Sequence, residues 1–241
     1  MTNLDILAKG ADALGIELSN LQIGQFQSYL GSLAEWNKRT NLTSPAALEN
    51  AERVHLLDSL TLIPLIRREA PNAQRLVDVG SGAGFPGLAL KIAMPELHVV
   101  LVEATRKKAE FLKSMASSLG LGDVEVLAER AEAVARHDGY RQAFDVATAR
   151  AIGQLSLVLE LTLPLCKIGG VLMAQRGDDA QTEATSAAKV SNTLGGGKPI
   201  VEPAPAAEME MRGSIAVVRK LSETPGRFPR RDGIPAKRPL T

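Results

Sequence analysis

The sequence predicts an α/β protein: an open sheet of seven strands, mostly parallel, with an antiparallel strand at its C-terminal end and a helical segment in front. Three observations lead there. From residue 76 onward, short β-rich runs alternate with helical stretches, and strands separated by helices pair in parallel through right-handed crossovers. The last two β-rich runs have only a turn between them, so they pair antiparallel. The first 70 or so residues show the helical spacing of apolar positions alone.

The helical segment comes first. Leu4, Leu7, Ala8, Ala11 and Leu14 recur at three and four, with Gly15 to end that helix. Ile23, Phe26, Leu30, Leu33 and Trp36 repeat the pattern. A third helix is predicted from Ser44 as N-cap and Pro45 in its first turn, past Val54, Leu57 and Leu60, with Pro64 near its end. "REAPNA" then reads as a linker. The strands follow: "RLVDVG", "HVVLVEA", "VEVLAE", "FDVATARA" and "GGVLMAQRG". The helices between them are "LALKIAM", "RKKAEFLKSMASSLG", a short one near "AEAVA", and "LSLVLELTLPLC". The final pair lies within "PIVEPAPAAEMEMRGSIAVVRKL", with its turn at Arg212-Gly213. The tail "PGRFPRRDGIPAKRPLT" holds five basic residues, one acid and four prolines, and reads as extended rather than helical. The chain divides into residues 1–70 as a helical extension, 71–222 as the sheet domain, and 223–241 as a basic tail.

Composition narrows the class. The chain has 241 residues, of which 45% are hydrophobic and 23% charged, as in a soluble globular protein with one sizeable core. A net charge of +1 leaves nucleic acid open, since a local basic patch would serve. The single cysteine, Cys166, excludes an internal disulfide, suits a reducing compartment, and sits in an apolar stretch as a buried small hydrophobe. An acid at position 5 and the lack of an apolar run argue against a signal peptide. No run approaches the roughly 20 apolar residues of a membrane span. A cytoplasmic protein is expected. His55, His98 and His137 lack metal-ligand spacing, so no metal site is expected. Nothing forces a dimer, and a monomer is expected.

The stretch "LVDVGSGAGFPGLAL" carries most of the chemistry. Ligands of an open α/β sheet bind beyond the carboxyl ends of its strands. There Gly80, Gly82 and Gly84 let the chain turn tightly and bring its amides close to a ligand, because no Cβ intervenes. Glu103 ends the next strand, 23 positions after Gly80, and can accept hydrogen bonds from two ribose hydroxyls. Together they read as a nucleoside site. A dinucleotide fits poorly: counted from Gly80 the sixth position is Phe85, and Pro86 removes an amide that a pyrophosphate needs. No Gly-Lys-Ser/Thr follows, which excludes a P-loop. S-adenosylmethionine, which has an adenosine and an amino-acid tail but no phosphate, remains. Asp78, just before the turn, can orient it or meet the ligand's ammonium. Ala131 and Glu132 lie where a loop passes the adenine ring, which a backbone amide or a carboxylate there can read. Arg150 ends the fourth strand, facing the transferred group. It offers only donors, so it suits a guanine edge or a phosphate and not an amine that must lose a proton.

Several blocks resemble one family. "LAEWNKRTNLTS", "RVHLLDSL", "LVDVGSGAGFPGLALKI", "LVEATRKKAEFLK", "RAE", "ARA" and "FPRRDGIPAKRPL" are similar to the RsmG (GidB) family, the bacterial 16S ribosomal RNA guanine-N7 methyltransferases. The resemblance runs from about residue 30 to the C-terminus. It implies a Rossmann-like, class I S-adenosylmethionine-dependent methyltransferase acting on a guanine of small-subunit ribosomal RNA. Carried over by position, it implies cofactor contacts at Gly80 and Phe85, at Glu103 with Ala104 and Thr105, at Ala131 with Glu132, and at Arg150.

The chemistry agrees with the missing catalytic constellation. Guanine N7 has a lone pair and no proton, so it can attack a sulfonium methyl in line without a general base, and catalysis comes mainly from alignment. A cation at N7 would oppose the charge that develops there, which places Arg150 on O6 or a phosphate, as an orienting residue. Arg227, Arg230, Arg231, Lys237 and Arg238 of the tail can hold RNA phosphates. With aromatics at 3%, phosphate and shape recognition should outweigh base stacking. The rival reading is a methyltransferase of small molecules or proteins with the same cofactor site.

Overall fold

The computed structural model describes residues 4–205 and 213–241. Among these residues seven strands form one sheet: β1 (Arg75–Val79), β2 (His98–Val102), β3 (Val124–Leu127), β4 (Phe144–Arg150), β5 (Cys166–Arg176), β6 (Ile200–Pro203) and β7 (Ser214–Arg219). Their order is β3-β2-β1-β4-β5-β7-β6. β1 pairs in parallel with both β2 and β4, and β7 is antiparallel to β5 and β6. The predicted sheet is therefore the observed one. Arg212, in the expected turn between β6 and β7, lies outside the described residues.

The chain winds outward from β1 to β3, then returns to lay β4 on the other side. The crevice of such a sheet opens at that reversal, beyond Val79 and Arg150. Side chains alternate between the faces. Val77 and Val79 pack with α8 (Ala131–Val134) and α9 (Leu155–Thr162), while Leu76 packs on the side of α6 (Gly87–Ala93) and α7 (Arg106–Ser118). β3 sits at one edge and β6 at the other.

α1 (Asp5–Ala13) and α2 (Asn20–Asn37) add their apolar faces to the α6–α7 core: Leu7, Phe26, Tyr29 and Leu33 are fully buried there. Ser19 caps α2 through a reciprocal pair with Gln22. Gln22 and Gln25 donate from α2 to the carbonyls of Ile92 and Leu119, tying the helix to the ends of α6 and α7. No helix of the described residues is long and apolar enough to cross a membrane.

Three elements differ from the sequence reading. The third helix is not continuous. α3 (Pro45–Glu49) gives way to a π-helical turn at Glu52–Leu57, then α4 (Asp58–Leu60) and α5 (Leu62–Glu69). Pro64 sits in the first turn of α5 rather than near a helix end, because its missing N–H would have had no partner there. The stretch after β5 forms α10 (Ala180–Thr193), which buries Ala184, Ala187 and Val190. The tail is not wholly extended: Ile234–Lys237 forms one helical turn, α11, with Pro235 at a position where proline is tolerated.

Candidate active site

The glycine loop is shaped by contacts from several directions. Gly80 and Gly82 have φ of +73° and +56°, the left-handed region that glycine enters freely. A Cβ on Gly80 would strike the side chain of Ile152. Gly84, with φ +92°, is barred a side chain by sterics as well: a Cβ there would run into the Tyr29 hydroxyl, which donates to the Ala83 carbonyl at 2.6 Å. So α2 braces the loop from beneath.

Asp78 sits under the turn with no exposure. Its Oδ1 accepts from Thr148 Oγ1 at 3.0 Å, its register partner on β4, and its Oδ2 accepts from the Gly87 amide at 3.1 Å. These contacts orient the turn. Burial pushes the carboxyl up to about 6, opposed by those same hydrogen bonds. Glu103 lies one residue past β2. Its Oε2 accepts from the Gly82 amide at 3.0 Å and its Oε1 from the Thr105 amide at 2.7 Å, so the carboxylate joins the loop to the start of α7. Ala104 and Thr105 are exposed beside it.

Ala131 and Glu132 open α8, where Glu132 Oε1 accepts the Gly233 amide at 2.8 Å. A cavity of about 200 Å³ lies between these parts, lined by Gly80, Glu103, Ala131, Glu132, Ile152 and Ala236. The structure thus brings the loop, the strand-two acid and the α8 start to one cavity.

Phe85 is placed otherwise. Its ring is in the core, stacked between Tyr29 at 4.9 Å and His55 at 4.7 Å. That stack presents His55 to a second, larger cavity of about 750 Å³, lined by Arg53, His55, Asp58, Arg150, Gln175 and Arg176 among others. Arg150 donates to Asp58 Oδ2 at 3.1 Å, to the Val54 carbonyl at 3.0 Å and to His55 Nδ1 at 3.1 Å. The same Nδ1 lies 3.1 Å from the Val54 carbonyl, and Nε2 faces Thr43 Oγ1 at 2.7 Å. Burial and the Arg150 charge hold His55 neutral, with its pKa lowered to about 4. Burial raises Asp58 while Arg150 and Gln175 oppose the shift. Ala151 has φ +56°, a strained conformation for alanine. It turns the chain so that Ile152 faces the small cavity while Ala151 and Gly153 face the large one.

Sequence reasoning gave no role to Arg53, His55, Asp58, Gln175 or Arg176. A usable signal existed in "RVHLLDSL": His55 and Asp58 are three apart and so share one helix face.

The tail residues separate. Arg230 makes a two-pronged contact with the fully buried Glu160, at 2.8 and 2.6 Å, and anchors the tail to α9. Arg227 lies over the Phe228 ring at 5.1 Å. Arg231, Lys237 and Arg238 are exposed. Cys166 is buried, and burial pushes its thiol up to about 12.

Comparison with known proteins decides the family. The profile described as GidB, rRNA small subunit methyltransferase G, matches residues 22–204. A "Ribosomal RNA small subunit methyltransferase G" from Chloroflexus aggregans is 46% identical over 235 residues, covering 98% of this chain and 97% of that one. One of the same description from Roseiflexus castenholzii is 44% identical, covering 98% and 100%. The chain belongs to this family. Solved structures agree on the fold. Cofactor-bound Rv0187 superposes with a TM-score of 0.54 at 17% identity, covering 82% of this chain and 89% of that one. A variant of MtNAS in complex with S-adenosylmethionine gives 0.51 at 15%, covering 91% and 78%. The fold is that of the class I S-adenosylmethionine-dependent methyltransferases, and S-adenosylmethionine is the family's cofactor.

Proposed function

We propose that this protein transfers a methyl group from S-adenosylmethionine to N7 of a guanine in 16S ribosomal RNA of the small subunit. One observation carries the reading. A nucleoside-sized cavity and a larger, arginine-lined one meet at a single loop, residues 151–153, beyond the reversal point of the sheet. The small cavity suits the cofactor: the cradle at Gly80 is one a Cβ would fill, and Glu103 and Glu132 bring carboxylates to it. Ala104 and Ala131 complete its rim. When bound there, S-adenosylmethionine supplies a methyl group on an electrophilic sulfonium.

The larger cavity then takes the base. Guanine N7 has no proton to lose, so no side chain has to act as a base, and none of those lining the cavity is needed as one. The task left to the protein is alignment and an electrostatic setting that tolerates positive charge on the base. Two features support this reading. His55 is neutral, and the Arg150 charge is shared with Asp58. Arg150 is the orienting residue, its remaining donor capacity directed at guanine O6 or a phosphate. A guanine within an RNA helix has to be splayed out to enter. Arg227, Arg231, Lys237 and Arg238 hold RNA phosphates from the tail. Arg230, already bound to Glu160, holds the tail in place. An enzyme with this substrate works in the cytoplasm.

The test is to incubate the protein with methyl-labelled S-adenosylmethionine and small subunits lacking the modification, then digest the RNA. The label is expected in 7-methylguanosine. Label in another nucleoside, or none in RNA while the cofactor still binds, would overturn the assignment.

A further inference from the structure

We infer that the C-terminal segment around Gly233–Lys237 is a wall of the cofactor cavity, so that RNA held by the tail also retains the cofactor. The inference rests on reading the small cavity as the S-adenosylmethionine site and the tail as an RNA contact.

Ala236 lines the same cavity as Gly80, Glu103 and Ala131, although it lies more than a hundred residues later in the chain than any of them. The segment is held there by the backbone. The Gly233 amide donates to Glu132, a residue of the cavity itself, and Gly233 reaches that position with φ +75°, which a residue with a Cβ adopts only with strain. The anchor lies just upstream. Arg230 grips the buried Glu160, and Arg136 donates to the Pro229 carbonyl at 3.0 Å and meets Asp232 at 3.3 Å. The tail is thus fixed at residues 228–232, and its next turn leans on the cavity.

The cations on and beside that turn are not used to hold it. Arg231, Lys237 and Arg238 are exposed and make no ion pair among the described residues. A polyanion that binds them with the tail docked favours the closed wall. Linkage then requires the cofactor and the polyanion to strengthen each other's binding by the same factor.

The probe is labelled S-adenosylhomocysteine, its affinity measured by equilibrium dialysis on the full chain. Ala236→Phe, at an exposed position, should leave the thermal midpoint of the unliganded protein unchanged and weaken the probe at least tenfold. Purified small-subunit ribosomal RNA, retained by the wild-type protein on a filter, should tighten the probe several-fold. Wild-type affinity in Ala236→Phe, or an affinity indifferent to bound RNA, overturns the inference. Glu103→Gln separates the underlying readings. Unaltered affinity in that variant removes the cofactor assignment of the cavity, and the wall with it. RNA that fails to bind removes the RNA reading of the tail, and the coupling with it.

Discussion

The two cavities flanking residues 151–153 are built in opposite ways. The small one is built around the backbone turn at Gly80, where an added Cβ would meet Ile152, and the Glu103 carboxylate fastens loop to loop. Its parts follow successive strand ends in order. The large one is made of side chains drawn from far apart: His55 and Asp58 from the helical segment, Arg150 from β4, Gln175 and Arg176 from β5. Its geometry depends on side-chain contacts such as the Tyr29–Phe85–His55 stack and the hydrogen bonds of Arg150. A backbone site tolerates little added volume. A side-chain site can lose one group and keep its shape, at a loss of rate.

Substitutions should expose that contrast. The largest effect is expected at Gly80→Asp. The new Cβ collides with Ile152 in a φ range that disfavours it, and a second negative charge appears beside Glu103, so S-adenosylhomocysteine affinity should fall at least a hundredfold by calorimetry. Next is Arg230→Ala, which strands the buried Glu160 carboxylate. Removing one partner of a buried pair costs about 3 kcal/mol or more, so the denaturation midpoint should drop clearly. An unchanged midpoint would mean that the tail is not anchored as described.

The smallest effect is spectroscopic. His55 should titrate near 4, and a midpoint near 6.5 in an NMR titration of its ring would contradict its burial against Phe85 and Arg150. The sign for stability follows. Its folded pKa is depressed, so between about 6.5 and 4 the unfolded chain takes up the proton first. His55 therefore lowers stability as pH falls through that window.

How much of this was legible in the sequence divides along the same line. The alternating strands and helices, and the pairing of the Gly80 turn with Glu103, were legible because strand-turn-helix units announce themselves locally, in an apolar run, a glycine cluster and an acid at the next strand end. The large cavity was not. His55 read as an ordinary surface or core histidine, and nothing in the spacing of Asp58, Arg150 and Gln175 says that β4 and β5 will bring them together. Phe85 sits in the glycine motif but points into the core, which only its stack with Tyr29 and His55 reveals. α10 was missed because its buried face is built of alanines, whose periodicity is faint beside that of leucine. The helical turn in the tail was masked by its prolines. One of them, Pro235, stands where a helix start accepts it.

The central proposal is that Arg150, where the family resemblance implies a cofactor contact, instead serves the substrate side of the 151–153 loop, since it lines the large cavity and not the small one. The most direct test is single-turnover methyl transfer to RNA by Arg150→Ala at saturating cofactor, alongside its cofactor affinity. The account predicts unaltered cofactor affinity with transfer slowed at least tenfold. Full transfer would contradict it, and so would a loss confined to cofactor binding.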